Sequence, residues 1–545
     1  MNSAALLLPN DPVQLKAEVI QLRDILKEKE HTLEEKERSL DKKEQRIEQL
    51  LDYILLLRKR QFGRSSEQFN INQCNLFDEA ELEELLGDLD LPADPDEVAA
   101  PAQEHVKSDK KQPKRRPLPE HLNRIEKIID FSAEEKAVMK GKWTFIGYET
   151  SEQLAVIPRQ HYVILFKRAK YVAKDADVDG AEQGVIIAPR ADQIIPKSIA
   201  HSSVIADIVT RKFVDSLPLY RQEKIYARDG IELSRQTMSG LVIQLHEKLT
   251  PLMEAMKKIL YQGDVLHLDE TRLQVLNEPG KENTQLSYIW VYVGGPPGKP
   301  VVWHQYADSR SSSVPVDFLY PDGSGDVIDP EWSFTIMTDG YTGYNALSRM
   351  PGIKWHAACW AHARREFVEA AAGRKNQAAA HQMVAMIAKL YLIERSAKDM
   401  TPEERREIRQ TQAKPLLEKI KNWLDSKAGK VLPKSLLGKA IRYALNLWPQ
   451  LTVYLEDGNI PIDNNRAENA IRPFVIGRRN WLFSGSPRGA HASATLYSLI
   501  ETAKANQLEP WAYLNYLFEK LPTAKSEQAL LALLPQNLKM EDLGS

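Results

Sequence analysis

The sequence predicts a multidomain α+β protein, and three observations lead to that prediction. A heptad repeat fills the N-terminal part, short strand-like runs follow it, and longer strand-like runs later in the chain are interrupted by a long stretch of helical pattern. The length of 545 residues also exceeds what one compact core holds. The chain therefore divides into several segments, each with its own periodicity.

Changes of pattern place the borders between six predicted segments. The first is a leucine-zipper coiled coil at 14–60, followed by a charged linker at 61–117. The others are a small β-rich module at 118–199, a helical, helix-turn-helix-like domain at 200–262, an α/β domain at 263–500 with a helical insertion at about 360–455, and a C-terminal helical tail at 501–545.

Composition excludes several classes of protein. The hydrophobic share of 43% and the charged share of 27% are typical of globular proteins in water. No apolar run approaches the ~20 residues of a membrane-spanning helix and nothing marks export, so we expect a cytoplasmic protein. The two cysteines, Cys74 and Cys359, are too few for a disulfide framework or a four-cysteine zinc site.

The net charge of −2 conceals a strong segregation of charge. Residues 78–97 contain ten acidic and no basic side chains, whereas residues 107–116 contain six basic side chains and one acid. Basic residues gather again between Arg472 and Arg488. Local patches rather than net charge decide whether a phosphate backbone is bound, so this composition is compatible with a nucleic-acid partner.

The heptad repeat indicates a zipper. One seam carries an unbroken series of apolar residues, and the companion seam has leucines towards its ends and lysines at 29, 36 and 43 in its middle. This pattern favours a coiled coil over a solvated single helix and leaves strand number and orientation open. The apolar seam consists of Val19, Leu26, Leu33, Leu40, Ile47 and Ile54.

Two basic segments follow the zipper. The run RKRQFGRSSEQ, from Arg58 to Gln68, either contacts phosphates or is a solvated helix end. The block KKQPKRRP in the linker either lies on DNA as a flexible arm or is an inert tether. The residues alone leave both alternatives open.

The middle of the chain predicts a β-rich module and then a helical hairpin. The runs WTFIGYE, HYVILFKRAKYVA and GVIIAP have the pattern of short strands. A helix at about 220–228, a turn at Gly230 and a second helix capped by Ser234 come next. Such a hairpin either binds DNA as a helix-turn-helix or serves packing alone. The candidate DNA-binding residues in its second helix are Arg235, Gln236 and Thr237.

From residue 263 onward, strand patterns alternate with short connections. The runs DVLHLDETRLQVL, SYIWVYVGG and KPVVWHQYA predict three strands, SSSVPVDFLY a short helix, SFTIMTDGY a fourth strand and KWHAAC a fifth. Three adjacent strands, a helix, a strand, a helical turn and a strand match a ribonuclease H-like sheet. We expect the first strand to end or widen at Asp269, the fourth to end at Asp339, and a later helix to carry Glu468.

Asp269, Asp339 and Glu468 form the candidate catalytic and metal-binding triad. The spacing is 70 residues from 269 to 339 and 129 from 339 to 468, the second being lengthened by the helical insertion. Three carboxylates suffice for two Mg²⁺ or Mn²⁺ ions, which activate water or a 3′-hydroxyl for phosphodiester cleavage. Taken singly, Asp339 fits a turn and Glu468 fits an ion pair with Arg472, so the setting supports the triad.

At these residues the chain resembles the IS sixty-six family of insertion-sequence transposases, a branch of the DDE transposase/integrase superfamily. The similar segments run from Leu57 to Asn506 in the family's order, and the C-terminal block is long and specific. The segments are LRKRQFGRSSEQ, RRPLPEHL, LDETRLQVL, YIWVYVG, TDGYTGY, CWAHARREF, DNNRAENAIRPFVIGRRNWLFSGSPRGA and LYSLIETAKAN.

The resemblance implies a bacterial, nucleoid-associated DNA transposase that binds terminal inverted repeats, cuts at element ends and joins them to a target. The family's triad falls on Asp269, Asp339 and Glu468, with two divalent ions per site. Pairing two DNA ends requires a dimer or larger assembly, for which the zipper offers an interface, and the family commonly uses two small accessory proteins. Family members also carry a cysteine-rich zinc module after RRPLPEHL, but residues 130–178 contain no cysteine, so zinc is not expected there.

Two motifs beside the triad have alternative interpretations. Cys359 and His362 form a CxxH, resembling a pair that the family places after its second aspartate and that helps to seat the insertion. Two ligands do not make a zinc site, so a core cysteine and a helix-surface histidine are the favoured interpretation. The neighbouring arginines, Arg364 and Arg365, either face DNA or pair with the acids at 366 and 369.

The last block of the resemblance is rich in arginine and aromatic residues. Guanidinium groups bind phosphates, so the arginines are DNA-binding candidates, whereas we assign Phe474 and Trp481 to the core. Arg478 and Arg479 are the better candidates because they follow the helix of Glu468. The full set is Arg472, Arg478, Arg479 and Arg488.

Two other functions stay open on sequence grounds. A nuclease of the same fold would cut without joining, since one fold serves both chemistries. A domesticated or inactive transposase would only bind DNA, a role that the complete triad argues against and the missing cysteines faintly favour. The zipper and the helical hairpin favour transposition over simple cleavage.

Overall fold

The computed structural model describes residues 160–172, 185–321, 333–372 and 378–543, with single residues scattered between 23 and 43 and between 131 and 137. Most of the predicted zipper, the whole charged linker and most of the predicted β-rich module lie outside the described residues, so these remain predictions. None of the described helices combines the length and apolar composition that a membrane span requires. The described zipper positions, which are helical and exposed, are Leu26, Lys29, Lys36 and Lys43.

The described part of the β-rich module contains one small antiparallel sheet. Strand β1 is Lys170–Val172 and strand β2 is Val185–Ile187, with Lys170 opposite Ile187. The predicted strand in GVIIAP is confirmed. In the run HYVILFKRAKYVA only the last residues form a strand, because they alone find a ladder partner among the described residues.

Three helices precede the large sheet, and the predicted hairpin is among them. They are α1 (Ser202–Phe213), α2 (Leu219–Arg228) and α3 (Arg235–Leu260). As predicted, Gly230 makes the turn, with a φ of 75°, and the Ser234 hydroxyl accepts a hydrogen bond from the Thr237 N–H at 3.1 Å. Buried side chains of all three helices share one hydrophobic core with the large sheet.

A mixed five-stranded sheet forms the centre of the fold. The order is β5-β4-β3-β6-β7, in which β3, β4 and β5 are antiparallel neighbours while β6 and β7 run parallel to β3. All five predicted strands are confirmed, and so is the predicted short helix, α4 (Ser313–Leu319). The strands are β3 (Val265–Gln274), β4 (Leu286–Gly294), β5 (Val301–Ala307), β6 (Phe334–Thr338) and β7 (Ile353–Ala358).

The expectation that β3 ends or widens at Asp269 was wrong. Pairing with β4 continues without a break through Asp269↔Val291 to Gln274↔Leu286. The alternation of side chains in LDETRLQ therefore continues, and Asp269 and Glu270 point to opposite faces of the sheet.

The helical insertion has a core of its own. This core of the insertion includes Met337 of β6 and Ala357 and Ala358 of β7. The core that α1, α2 and α3 share with the sheet, called the first core below, includes residues of β3, β4 and β5. A π-helical turn at Arg409–Ala413 joins two of its helices. The helices are α5 (Trp360–Ala371), α6 (Ala378–Ser396), α7 (Pro402–Ile408), α8 (Lys414–Ala428), α9 (Leu436–Asn446) and α10 (Trp448–Thr452).

The C-terminal helices complete the first core and cover the edge of the sheet. On edge strand β5, the Val302 N–H donates to the Thr502 hydroxyl at 3.0 Å and the His304 N–H donates to the Ser498 hydroxyl at 2.7 Å. These buried hydroxyls occupy the backbone groups that an edge strand leaves unpaired. The helices are α11 (Asn465–Trp481), α12 (Pro487–Ala505), α13 (Pro510–Lys520) and α14 (Glu527–Ala532).

Replacing the edge-covering hydroxyl of Thr502 by a methyl group should destabilise the protein. In Thr502→Val the shape is kept, but the buried N–H and C=O of Val302 both lose their partner at 3.0 Å. We expect a loss of about 1–3 kcal/mol in the free energy of unfolding, measured by chemical denaturation. Thr250→Val, at an exposed position of α3, is the matched control; equal stability of the two variants would contradict the assignment.

Candidate active site

Two aspartates lie side by side where β3 and β6 run parallel. The ladder pairs His267 with Met337, and Asp269 and Asp339 each follow two residues later, so both acids reach the same level of adjacent strands. Asp339 comes directly after β6, and its Oδ1 accepts a hydrogen bond from the Tyr341 N–H at 2.8 Å. The two acids that are 70 residues apart in the sequence are thus neighbours in the fold.

The turn after Asp339 requires glycine. Gly340 has a φ of 87°, and a Cβ atom there would lie 2.4 Å from Cδ1 of Leu447 and 3.2 Å from the hydroxyl of Tyr443. The same Tyr443 hydroxyl donates a hydrogen bond to the Asp339 carbonyl oxygen. Helix α9 of the insertion therefore closes directly over the Asp-Gly turn.

Asn464, which is fully buried, fixes the start of helix α11 above β3. Its side-chain NH₂ group donates to the Leu268 carbonyl oxygen at 2.7 Å, and its Oδ1 lies 2.9 Å from Nδ1 of His267. Its backbone N–H donates to Sγ of Cys359 at 3.2 Å. Glu468 follows in the first turn of α11, so the helix brings the third acid to the strand that carries Asp269.

Glu468 faces helix α5 of the insertion. Its Oε1 lies 3.3 Å from Nδ1 of His362, and its Oε2 lies 3.4 Å from Nη2 of Arg365. Arg365 thus has Glu468 as a partner, an acid that the two sequence-based alternatives did not include. His362 is turned inward to Glu468, so its interpretation as a helix-surface histidine was wrong, whereas Cys359 is buried as expected.

The acids of this site repel one another. Burial raises the pKa of Asp269 well above its ordinary value of 3.8, and the negative charges of Glu270, Asp339 and Glu468 raise it further. One hydrogen bond, from the Glu270 N–H to Oδ1 of Asp269 at 2.9 Å, acts in the opposite direction. A half-buried carboxylate surrounded by acids is an environment that favours binding of a divalent cation.

The carboxylate oxygens of the three acids are suitable ligands for hard divalent ions, but their separation limits how many acids one ion can contact. Within the described part of the chain, Asp269, Asp339 and Glu468 do not form a group whose ligand atoms all lie within 4.8 Å of one another. A single ion therefore does not reach all three acids in this arrangement. Two ions that share Asp269 would not require Asp339 and Glu468 to meet.

A second acid, Glu270, occupies the opposite face of β3, and sequence analysis missed it. Its side chain is 1% exposed and pairs with Arg310, whose Nε lies 2.7 Å from Oε1, while the Tyr344 hydroxyl donates to Oε2. Burial and Asp339 raise the pKa of Glu270, while Tyr344 and Arg310 lower it. The sequence did contain a signal for Glu270, because two successive acids in one strand must point to opposite faces of the sheet.

Arg310 connects that face to Asp339. Its guanidinium carbon lies 3.9 Å from the centre of the Tyr341 ring, and the Tyr341 hydroxyl donates to the Arg310 carbonyl oxygen at 3.0 Å. The backbone N–H of the same Tyr341 holds Oδ1 of Asp339. Sequence analysis did not single out Arg310, because it lies in a loop 40 residues after Glu270.

The predicted DNA-binding residues lie on separate elements. Arg235, Gln236 and Thr237 are exposed at the N-terminus of α3. Arg478 is half-buried, and its Nη1 donates to the hydroxyl of Thr271 at 3.1 Å, on the face of β3 that also bears Asp269. The other arginines are Arg472, which is half-buried, Arg479, which is exposed, and Arg488, which is exposed and pairs with Glu247 at 2.9 Å.

The aromatic residues of this block pack inward. Phe474 is fully buried, and the centre of its ring lies 5.3 Å from that of Trp481 in an edge-to-face arrangement. Trp481 is half-buried against the first core. The structure agrees with the assignment of both side chains to packing.

Comparison with known proteins identifies the family. A family model described as "Transposase IS66 family" matches residues 197–492, which include the two aspartates, Cys359, His362 and Glu468. The chain belongs to the IS66 transposase family. Two further models, described as "IS66 C-terminal element" and "Transposase C of IS166 homeodomain", match residues 498–536 and 49–126. The resemblance stated from the sequence is therefore confirmed.

Three relatives match most of the chain and most of their own length. An uncharacterized protein of Sinorhizobium fredii, y4qI, is 30% identical over 522 residues, covering 92% of this chain and 90% of its own. A second from that organism, y4jD, is 31% identical over 438 residues, covering 78% and 82%. A third, y4hP, is 28% identical over 484 residues, covering 84% and 83%. These relatives show that similarity extends along most of the chain, and their descriptions name no activity.

Desolvation of Asp269, together with repulsion by the neighbouring acids, predicts a variant that is more stable than the natural protein. The raised pKa of Asp269 means that folding disfavours its charged form, so this cost is absent below pH 3.8 and grows as pH rises above it. Asp269→Asn should therefore raise the thermal unfolding temperature in EDTA at neutral pH, with a gain that shrinks as the pH falls towards 5. Asp308→Asn, which removes an exposed acid, should show no such pH-dependent gain.

Proposed function

We propose that this protein is a DNA transposase that cuts DNA at the ends of an insertion sequence and joins those ends to a target. The observation that carries the proposal is the position of the half-buried Asp269, which lies beside Asp339 on adjacent parallel strands and near Glu468 in the first turn of α11. Membership of the IS66 transposase family supports a role for this acidic site in phosphodiester chemistry. Phosphodiester cleavage needs a place where negative charge is collected around divalent cations.

Asp269, Asp339 and Glu468 would hold those ions, Mg²⁺ or Mn²⁺. When bound, two such ions lower the pKa of an attacking water or 3′-hydroxyl and stabilise the leaving oxygen. The carboxylates of the chain provide oxygen ligands, and Tyr341 keeps Asp339 in place through its backbone N–H. Asn464 keeps the first turn of α11, with Glu468, against β3.

A ribonuclease H-like catalytic domain is part of the proposal. The sheet has three antiparallel strands followed by two parallel ones, with Asp269 on its central strand and Asp339 at the end of the neighbouring strand. A helix from beyond the insertion supplies Glu468. This order supports the assignment, and the insertion between β7 and α11 explains the long spacing to the third acid.

DNA would be bound by two groups of side chains. Arg478 lies on the same face of β3 as Asp269, so we assign it to the phosphates near the reacting bond, together with Arg472 and Arg479. The exposed first turn of α3 would read the terminal inverted repeats. We assign Arg488 a weaker role, because its partner Glu247 competes with a phosphate.

The functional assembly would be a dimer or larger. Transposition must bring two DNA ends together, and the N-terminal heptads supply an interface for doing so. Two accessory proteins encoded by the same element complete the proposed set of partners. Binding to DNA would place the protein with the bacterial nucleoid.

Cleavage of terminal-repeat DNA tests the triad. We expect Mg²⁺- or Mn²⁺-dependent nicking at the repeat boundary, abolished by EDTA and reduced about a hundredfold or more in Asp269→Asn, Asp339→Asn and Glu468→Gln. Asp308→Asn, an exposed acid after β5, is the matched control and should cut normally. Normal cutting by any triad variant would contradict the assignment of that residue.

The same assay separates the alternative functions. Nicking without joining to a target would identify a nuclease, and tight binding without nicking would identify an inactive transposase or one that needs its accessory proteins. Adding those proteins to the natural chain distinguishes the last two outcomes.

Binding of the terminal repeats tests the first turn of α3. Arg235→Ala should weaken DNA binding, because one phosphate or base contact is lost. The slope of the logarithm of the binding constant against the logarithm of the salt concentration should fall by about one. Fluorescence anisotropy across a range of salt concentrations measures both quantities. Lys525→Ala, an exposed cation in the C-terminal segment, is the control. Equal effects of the two substitutions would mean that the first turn of α3 has no special role.

A further inference from the structure

The CxxH pair of the insertion meets a third ligand in the folded protein. Cys359 is the residue that precedes α5, and His362 lies in its first turn, so both side chains face the same direction. Glu468 comes from α11, which Asn464 ties to Cys359 through its backbone N–H. The ligand atoms of Cys359, His362 and Glu468 all lie within 4.8 Å of one another.

The spacing fits a tetrahedral metal site. With metal–ligand distances of about 2.0–2.2 Å for nitrogen and oxygen, two ligand atoms at a tetrahedral angle are roughly 3.3–3.5 Å apart. Nδ1 of His362 and Oε1 of Glu468 are separated by 3.3 Å. These two atoms therefore already have the separation that one shared ion imposes.

The same two atoms lack other partners. Nδ1 of His362 and Oε1 of Glu468 are both buried, and neither makes a hydrogen bond to any described residue. Buried polar atoms are normally satisfied by hydrogen bonds, water or ions, and leaving them unsatisfied is costly. A cation between them would supply the missing interaction for both.

The ligand types select the metal. A thiolate, an imidazole and one carboxylate suit Zn²⁺, whereas Mg²⁺ prefers sites made of oxygen atoms alone. We propose that Cys359, His362 and Glu468 bind one Zn²⁺ ion beside the acidic site, with water as the fourth ligand. Zinc was not expected at the CxxH pair, because two ligands do not make a site and the third lies 106 residues further along the chain, from 362 to 468.

Binding of this ion would release one proton from the protein and would fix the position of the Glu468 side chain. The Cys359 thiol must lose its proton to solvent when the Zn–S bond forms. The ion would join α5 to α11 through Oε1 of Glu468 and leave Oε2, now 3.4 Å from Arg365, for other contacts. Zinc would thus fix the carboxylate of Glu468 relative to β3, as a positioning element rather than a reacting group.

Metal analysis of the full-length protein tests the site without any cleavage assay. After exposure to equimolar Zn²⁺ and removal of loose ions, we expect one zinc per chain by elemental analysis. His362→Gln and Cys359→Ser should bind zinc at least about a hundredfold more weakly in competition with a chelator, because each loses a direct ligand. Cys74→Ser is the matched control and should keep its zinc.

Cobalt substitution provides a second readout. Co²⁺ in the natural chain should give a thiolate-to-metal absorption band and tetrahedral ligand-field bands, and both should disappear in Cys359→Ser while its circular dichroism stays unchanged. Absence of zinc from the natural chain would overturn the proposal, as would full retention of zinc by His362→Gln.

Asp269→Asn separates this proposal from the proposed function. That variant should lose DNA cleavage but keep zinc, because Asp269 is not one of the three ligands. Loss of zinc in Asp269→Asn would assign the ion to the acidic site instead and overturn the zinc proposal. Retained zinc together with unaffected cleavage would leave the zinc site standing and contradict the triad.

Discussion

The candidate site depends on one buried asparagine. Asn464 makes hydrogen bonds to both backbone and side chain of β3, at Leu268 and His267, and to the thiol of Cys359 at the start of the insertion. Three segments that are distant in sequence therefore meet at a single side chain. Burial lowers the pKa of His267 to about 3, so this imidazole stays neutral, and its Nδ1–H donates to the amide oxygen of Asn464 without a charge cost. This junction holds the first turn of α11, with Glu468, against the strand that carries Asp269.

The candidate site places several negative charges close together, which destabilises the folded protein, and contacts elsewhere in the fold offset this destabilisation. Asp269 is destabilised by burial and by neighbouring acids, whereas Glu270 on the reverse face is compensated by Arg310 and Tyr344. Across one strand, Glu270 therefore has a cation and a hydroxyl as partners, whereas Asp269 faces other acids, and the proposed cations would supply its compensation. The covered edge of β5 and the separate core of the insertion hold the sheet in place while its centre remains electrostatically strained.

Much of the fold follows from the sequence, because local pattern determines it. The five strands, the Ser234 cap and the Asp-Gly turn each follow from periodicity or residue type within a few positions. The continuation of β3 beyond Asp269 depended on its pairing with β4, which no local pattern reveals. The inward turn of His362 depended on Glu468, which lies beyond five helices. Contacts between segments that are distant in the sequence could therefore not be predicted from local pattern, and only the family resemblance predicted some of them.

The chain order of the site has a consequence for protein synthesis. Asp269 and Asp339 leave the ribosome well before Glu468, which follows 129 residues after the second aspartate. At about 5–20 residues per second, the gap lasts roughly 6–26 s. During that interval the nascent polypeptide has two of its three acids and lacks Asn464 to seat the last one. A cell translating this messenger would thus carry no complete set of these three acids until synthesis of each chain has passed residue 468.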